Sequence, residues 1–268
     1  MHLKRLIVAL IALPLLYLYV AKLSPPYFLA LIVLVSVAAQ KEFHAMYRTN
    51  GVLSLLGLIC GTALLVGTAV APYFLPPQGT VHFLPVLLMA SFIAMTTARL
   101  LIVREPAFAL RDVGPPLAGV FYIPILLLAQ WYPRLKGYEW ILFLYGCVWA
   151  ADSLAYYVGK GIGRRRLYYS VSPNKTVEGA FGSVAGGVLA GVALGLLLMH
   201  HQTPALFALL GGTVGLTTIV GDLVESMFKR DAGMKDSGAL IPGHGGILDK
   251  IDGSLFAGPV LYWIATAL

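Results

Sequence analysis

From Thr49 to Ala98 the chain carries no Asp, Glu, Lys or Arg, and shorter charge-free apolar runs recur along most of its length. About 20 mostly apolar residues are what an α-helix needs to cross the hydrocarbon core of a bilayer. Leu6–Ala21 and Leu23–Gln40 give two such spans. The turn sequence Leu75-Pro76-Pro77-Gln78-Gly79 divides Thr49–Ala98 into two more. Val113–Pro133 is a fifth, and Trp140–Gly159, with Asp152 as its single charge, a sixth. His200-His201-Gln202-Thr203-Pro204 splits Gly179–Gly221 into a seventh and an eighth, and Ile251–Leu268 is the ninth. The expected fold is all-α: a polytopic integral membrane protein of about nine transmembrane helices. Composition agrees, with 59% hydrophobic and 12% charged residues against about 25% charged in soluble domains.

The start, Met1-His2-Leu3-Lys4-Arg5 before an apolar run, also fits a signal peptide. The run leaves through Tyr19-Val20-Ala21-Lys22 without a small-x-small cleavage site, so it is read as an uncleaved first span. Cys60 and Cys147 lie inside apolar runs and read as small core residues, not as a disulfide or metal pair. With the N-terminus cytoplasmic, all but Lys22, Arg134 and Lys136 of the 19 Lys and Arg fall on the inner side, as the positive-inside rule requires. The net charge of +7 therefore reports topology and attraction to anionic head groups. Nothing resembles a base-reading module, so no nucleic-acid partner is expected. Residues 1–138 read as N-terminal helices with about five spans, and 139–268 as a catalytic region with two charged cytoplasmic loops, Lys160–Glu178 and Lys229–Lys250.

The carboxylates are more informative. Of 12 in the chain, half lie between Asp222 and Asp252. Asp222, Glu225 and Lys229 are spaced i, i+3, i+7, one stripe at the inner end of the eighth span, and Asp249 and Asp252 are i, i+3 at the start of the ninth. Ionisable groups at membrane depth are costly and mark function. Two helix ends offering carboxylates to one cavity suit a hard cation such as Mg²⁺, with water and phosphate oxygens completing the shell. Asp231 and Asp236, in the loop, read equally as interfacial charges. Pro242-Gly243-His244-Gly245-Gly246 reads as a nest of N–H groups for an anion, among the cations Lys229, Arg230, Lys235 and Lys250. His244 is read as a donor to phosphate, since a phosphate nucleophile is already ionised and needs no general base. Asp152, Tyr156 and Gly159 share a face of the sixth span. Beyond them, Ser172-Pro173 and Thr176 read as a turn into a helix with Thr176 as a cap, and Lys175 is placed to reach a phosphate.

These residues resemble the phosphatidate cytidylyltransferases, the CDP-diacylglycerol synthases. The resemblance runs through Ser226-Met227-Phe228-Lys229-Arg230, Lys235-Asp236 and His244-Gly245-Gly246-Ile247-Leu248-Asp249-Lys250-Ile251-Asp252. A second block comprises Asp152, Ala155-Tyr156, Gly159, Ser172-Pro173, Lys175-Thr176 and Glu178-Gly179. It covers roughly Asp152 to Asp252 closely and the N-terminal half only in hydropathy. Lys250 stands where the family has arginine, and Val177 where tryptophan is common. The resemblance implies a dimeric membrane enzyme that joins CTP and phosphatidic acid with release of pyrophosphate. It implies Asp222 and Asp249 as holders of one or two Mg²⁺ ions, with Asp252 and Asp236 in support. Lys175, Lys229, Arg230, Lys235 and Lys250 would neutralise the phosphates, while Asp152, Tyr156, Ser172, Thr176, Glu178, Gly245 and Gly246 line the substrate side. Two other readings share some of the features. A CTP-dependent lipid-alcohol kinase would use much of the same chemistry. A cation-coupled transporter would place Asp152 and Asp222 in the membrane but leave the glycine-histidine loop among lysines without a purpose.

Overall fold

The computed structural model describes residues 17–103, 105–199, 202–238 and 245–267. Helix α1 (Pro25–Met46) opens with proline in its first turn, where the missing N–H has no intrahelical partner to lose. Asn50 caps α2 (Gly51–Phe74), accepting from the Val52 N–H at 2.9 Å. The expected Pro-Pro-Gln-Gly turn ends α2, and α3 (Pro77–Ile102) begins within it. Where one fifth span was expected, the structure has two helices, α4 (Ala109–Tyr122) and α5 (Pro124–Lys136), that break at Ile123. Pro124 can neither donate a helical N–H nor fit its ring beside the preceding turn, so the chain kinks there.

Helix α6 (Tyr138–Ile162) leads into a hairpin of β1 (Arg166–Tyr168) and β2 (Ser172–Thr176), paired antiparallel with Arg166 opposite Thr176. The all-α class stands with this one short hairpin among the described residues, but one expectation is corrected: Ser172–Thr176 is a strand instead of a turn into a helix. Proline at 173 holds Ser172 extended, and the adjacent strand supplies the ladder. The expected cap is present: Thr176 Oγ1 accepts from the Gly179 N–H at 3.1 Å and starts α7 (Val177–Leu198). Helices α8 (Pro204–Asp231) and α9 (Leu248–Ala267) complete the chain.

Seven stretches among the described residues are helical, long and apolar enough to cross a membrane: α1, α2, α3, the α4–α5 pair, α6, α7 and α8. They coincide with the second to eighth expected spans, and the chain is an integral membrane protein. Most of the first expected span, Leu6–Ala21, lies outside the described residues. Helix α9 forms where the ninth was expected, but Asp249, Lys250 and Asp252 in its first turns keep it out of the seven.

Helices α6, α7 and α8 pack in succession, and α9 lies against α8 and α5. One buried apolar cluster joins Phe43 and Met46 of α1 to Tyr122, Leu127, Leu248 and Ile251. The Phe43 ring meets Phe228 edge-on at 5.3 Å, and Tyr122 lies 5.2 Å from the same ring, a favourable arrangement of ring quadrupoles. The inner core thus binds the N-terminal helices to the ends of α8 and α9, where the charged residues gather.

Candidate active site

At Gly221 a side chain would run into the Asp252 carbonyl. Without one, α8 and α9 approach backbone to backbone directly beside Asp222 and Asp252. Oxygens of Asp222, Glu225 and Asp252 lie within 4.8 Å of one another. Like charges this close repel strongly in a poorly solvated site, and hard carboxylate oxygens are the donors Mg²⁺ takes. Among the described residues this is the one such group of acidic or metal-ligating side chains.

Of the expected metal set of Asp222, Asp249 and Asp252, the cluster contains Asp222 and Asp252 together with Glu225, and Asp249 lines the adjoining cavity. Asp249 Oδ1 accepts from Lys229 Nζ at 2.6 Å. Its Oδ2 accepts from the N–H groups of Ser237 at 3.0 Å and Gly246 at 2.7 Å, and from the Ser237 hydroxyl at 2.9 Å. Lys229 also pairs with Glu225, one turn back on α8. Its ammonium is thus paired with two internal carboxylates. Asp249 precedes the apolar stretch that begins at Ile251. Burial alone would push its carboxyl up, but Lys229 and the Gly246 N–H outweigh burial and hold it at about 2.

What is described of the glycine loop turns inward: the Gly246 N–H meets Asp249, and the N–H groups of Ile247 and Leu248 meet Glu42 of α1, each at 2.9 Å. Of the segment read as a nest, only Gly245 and Gly246 are described, and the Gly246 N–H is taken by Asp249. His244, with Pro242 and Gly243, lies outside the described residues.

A cavity of about 810 Å³ opens beside the cluster and is bounded by α6, the hairpin, the first turn of α7, α8 and α9. Asp152, Tyr156 and Gly159 line it along one face of α6, as their spacing predicted, and Ser172, Lys175 and Thr176 line it from the hairpin. Asp222, Asp249 and Asp252 form its acidic wall. Lys175 reaches across to pair with Asp222. Lys160 and Arg166 also line the cavity; the sequence reading had counted them only as inner-side charges. Glu178 is not among the residues that line this space. Its carboxylate accepts from the Arg164 N–H at 3.0 Å and the Arg165 N–H at 3.2 Å and closes the base of the hairpin. Arg230 ties the two charged loops together, donating to the Val171 carbonyl at 3.2 Å and the Met234 carbonyl at 2.9 Å. Lys235, Asp236 and Lys250 are exposed and are not among the residues that line the cavity.

Carboxylates suited to a hard cation, beside a cavity that lysine and arginine also line, are what a membrane enzyme of phosphoryl or nucleotidyl transfer would need. Comparison with known sequences narrows the class. The chain belongs to the cytidylyltransferase family, whose profile matches residues 3–268, and it is a nucleotidyltransferase. It is similar to the phosphatidate cytidylyltransferase of a Synechocystis species, 32% identical over 90% of this chain and 89% of that one. The proteins of the same name from Staphylococcus epidermidis and Staphylococcus aureus are each 34% identical over 85% of both chains.

Proposed function

We propose that the protein transfers the cytidylyl group of CTP to phosphatidic acid, forming CDP-diacylglycerol and pyrophosphate for phospholipid synthesis. The observation that carries this reading is the cluster of Asp222, Glu225 and Asp252 beside a cavity of about 810 Å³ that Lys160, Arg166 and Lys175 also line. The names of the relatives support the choice of substrates. In the reaction a phosphate oxygen of phosphatidic acid attacks the α-phosphorus of CTP. The new P–O bond forms as the bond to the bridging oxygen breaks, and that oxygen leaves with its electron pair as pyrophosphate. The attacking phosphate is already ionised at neutral pH, so no side chain takes a proton.

Asp222, Glu225 and Asp252 would hold Mg²⁺, and a second ion between Asp222 and Asp249 belongs to the same reading because both line the cavity. Bound there, a divalent cation supplies positive charge against the phosphate oxygens as negative charge shifts to the leaving group. Lys175, Lys160 and Arg166 draw the triphosphate into the cavity. Asp152, Tyr156, Ser172 and Thr176 shape the wall against which the substrates lie. Lys235, Asp236, Lys250, Arg230 and His244 are assigned to the reaction at the phosphates. Nine spans with a cytoplasmic N-terminus in a bacterial inner membrane place this cavity on the cytosolic face, where CTP is found, and put phosphatidic acid within reach from the bilayer. The same reading includes a homodimer and a catalytic region beginning near residue 139.

The test is to mix purified protein with CTP, Mg²⁺ and phosphatidic acid. CDP-diacylglycerol and pyrophosphate should appear in equal amounts, and both should vanish in Asp222→Asn. Formation of CDP with a phosphorylated lipid alcohol, or no nucleotide-linked lipid at all, would refute the proposal.

A further inference from the structure

Glu42 is the single carboxylate of α1, and it lies far in sequence from every residue assigned to the site. Its side chain nevertheless reaches the loop before α9. Oε1 accepts from the Ile247 N–H at 2.9 Å and Oε2 from the Leu248 N–H at 2.9 Å. Both are backbone donors at the start of a helix, which lack intrahelical acceptors. Oε2 also lies 3.1 Å from the Ser237 hydroxyl, which in turn lies 2.9 Å from Asp249 Oδ2. The loop is shaped around this carboxylate, for a side chain at Gly238 or Gly246 would collide with it. From Asp249 the polar chain continues through Lys229 to Glu225, a member of the three-carboxylate cluster. Next to Glu42, Phe43 packs into the apolar cluster with Leu248 and Ile251, which fixes the approach of α1.

We propose that Glu42 is a positioning residue for the metal-and-phosphate site, acting through the start of α9 and the Ser237–Asp249 link to set where Asp252 stands relative to Asp222 and Glu225. Asp252 lies one turn beyond the backbone that Glu42 holds, so a shift in the first turn of α9 moves that ligand directly. Both carboxylate oxygens are needed. An amide in their place would turn an NH₂ group toward one of the two backbone donors or toward Ser237.

The inference rests on the metal reading above, and its test uses binding as well as turnover. Mn²⁺ serves as the probe ion, titrated into purified protein in detergent and followed by electron paramagnetic resonance. Groups that orient metal ligands typically contribute about ten- to a hundredfold in affinity or rate. Glu42→Gln should therefore raise the Mn²⁺ dissociation constant about tenfold and lower kcat by a similar factor, with KM for CTP changed much less. Its unfolding temperature without metal should stay within about 4 °C of wild type, the shift that about 1 kcal/mol produces. Lys41→Gln, at the exposed neighbouring position, should match wild type in all of these. If Glu42→Gln does not fold, Ser237→Ala removes only the hydroxyl link and should still weaken Mn²⁺ binding about threefold, the worth of an ordinary hydrogen bond. Unchanged Mn²⁺ affinity in a folded Glu42→Gln, or in Ser237→Ala where that variant must stand in, would overturn the inference. Wild-type protein that binds Mn²⁺ yet makes no CDP-diacylglycerol would remove the proposed function and leave the positioning role of Glu42 intact.

Discussion

Lys229, a candidate cation for phosphate, is paired with two carboxylates in the structure. It is held between Glu225, which is fully buried, and Asp249. Removing one partner from a buried ion pair leaves an uncompensated charge and costs about 3 to 5 kcal/mol. Lys229→Met should thus lower the unfolding temperature markedly and abolish turnover, whereas Lys250→Met, at an exposed position, should alter stability by no more than about 0.5 kcal/mol. Thermal unfolding of the two variants in one detergent checks this, and equal midpoints would contradict it. Lys175 is different, because it lines the cavity and pairs with Asp222. A charge-assisted hydrogen bond to phosphate contributes about 1.5 kcal/mol or more, so Lys175→Ala should lose at least about tenfold in kcat/KM for CTP. Wild-type kinetics in that variant would take Lys175 out of phosphate binding. At this scale much of the site was legible. The i, i+3 spacing had already set Asp222 and Glu225 on one stripe, and both prove to belong to the cluster. The expected metal set nevertheless left out Glu225, because helical spacing says which residues share a face and not which carboxylates two helices bring together. Glu42 was illegible for a related reason, since its partners lie some two hundred positions away.

Between elements, the site depends on how closely α8 and α9 meet. A methyl group at Gly221 would strike the Asp252 backbone, and overpacking of this kind costs about 1 to 3 kcal/mol. Gly221→Ala should push the helices apart and weaken Mn²⁺ binding. Gly161→Ala, at the end of α6 where a methyl group would meet nothing, should leave binding unchanged. Equal Mn²⁺ affinities in the two variants would mean that the helix contact does not set the cluster. The first turn of α9 carries its own signature in acid. Asp249 is held down from an ordinary 3.8 to about 2. A carboxyl depressed in the folded state stabilises fully above its unfolded pKa, and that stabilisation is lost as pH falls through the folded value. The unfolding temperature should therefore drop between about pH 4 and pH 2, and Asp249→Asn should flatten that part of the profile; an identical acid limb in the variant would refute the assignment. Among the elements, the long apolar helices and their Pro-rich breaks were legible because membrane spans are written in hydropathy. The hairpin was not, since its ladder joins Arg166 to Thr176 across polar sequence in which no apolar period exists. The break at Pro124 did have a local signal, a proline inside an expected span, but hydropathy continues straight through it.

Across the whole molecule, the proposed topology puts both charged loops on the side that holds CTP. The two loops already share one end of the helices, joined by Arg230 to the Val171 carbonyl. In a variant lacking Cys60 and Cys147, a single cysteine at the exposed position of Lys235 should react with a membrane-impermeant reagent only from the cytoplasmic side. Labelling only from outside would invert the topology and separate the cavity from its nucleotide. The central claim is that the bond broken is the one between the α- and β-phosphates of CTP and that the cytidylyl group ends on the lipid phosphate. Parallel reactions with α-labelled and γ-labelled CTP, phosphatidic acid, Mg²⁺ and purified protein test it most directly. The account predicts that the α-label passes into the lipid product and the γ-label into pyrophosphate; γ-label in the lipid, or α-label left in free CDP, would contradict it.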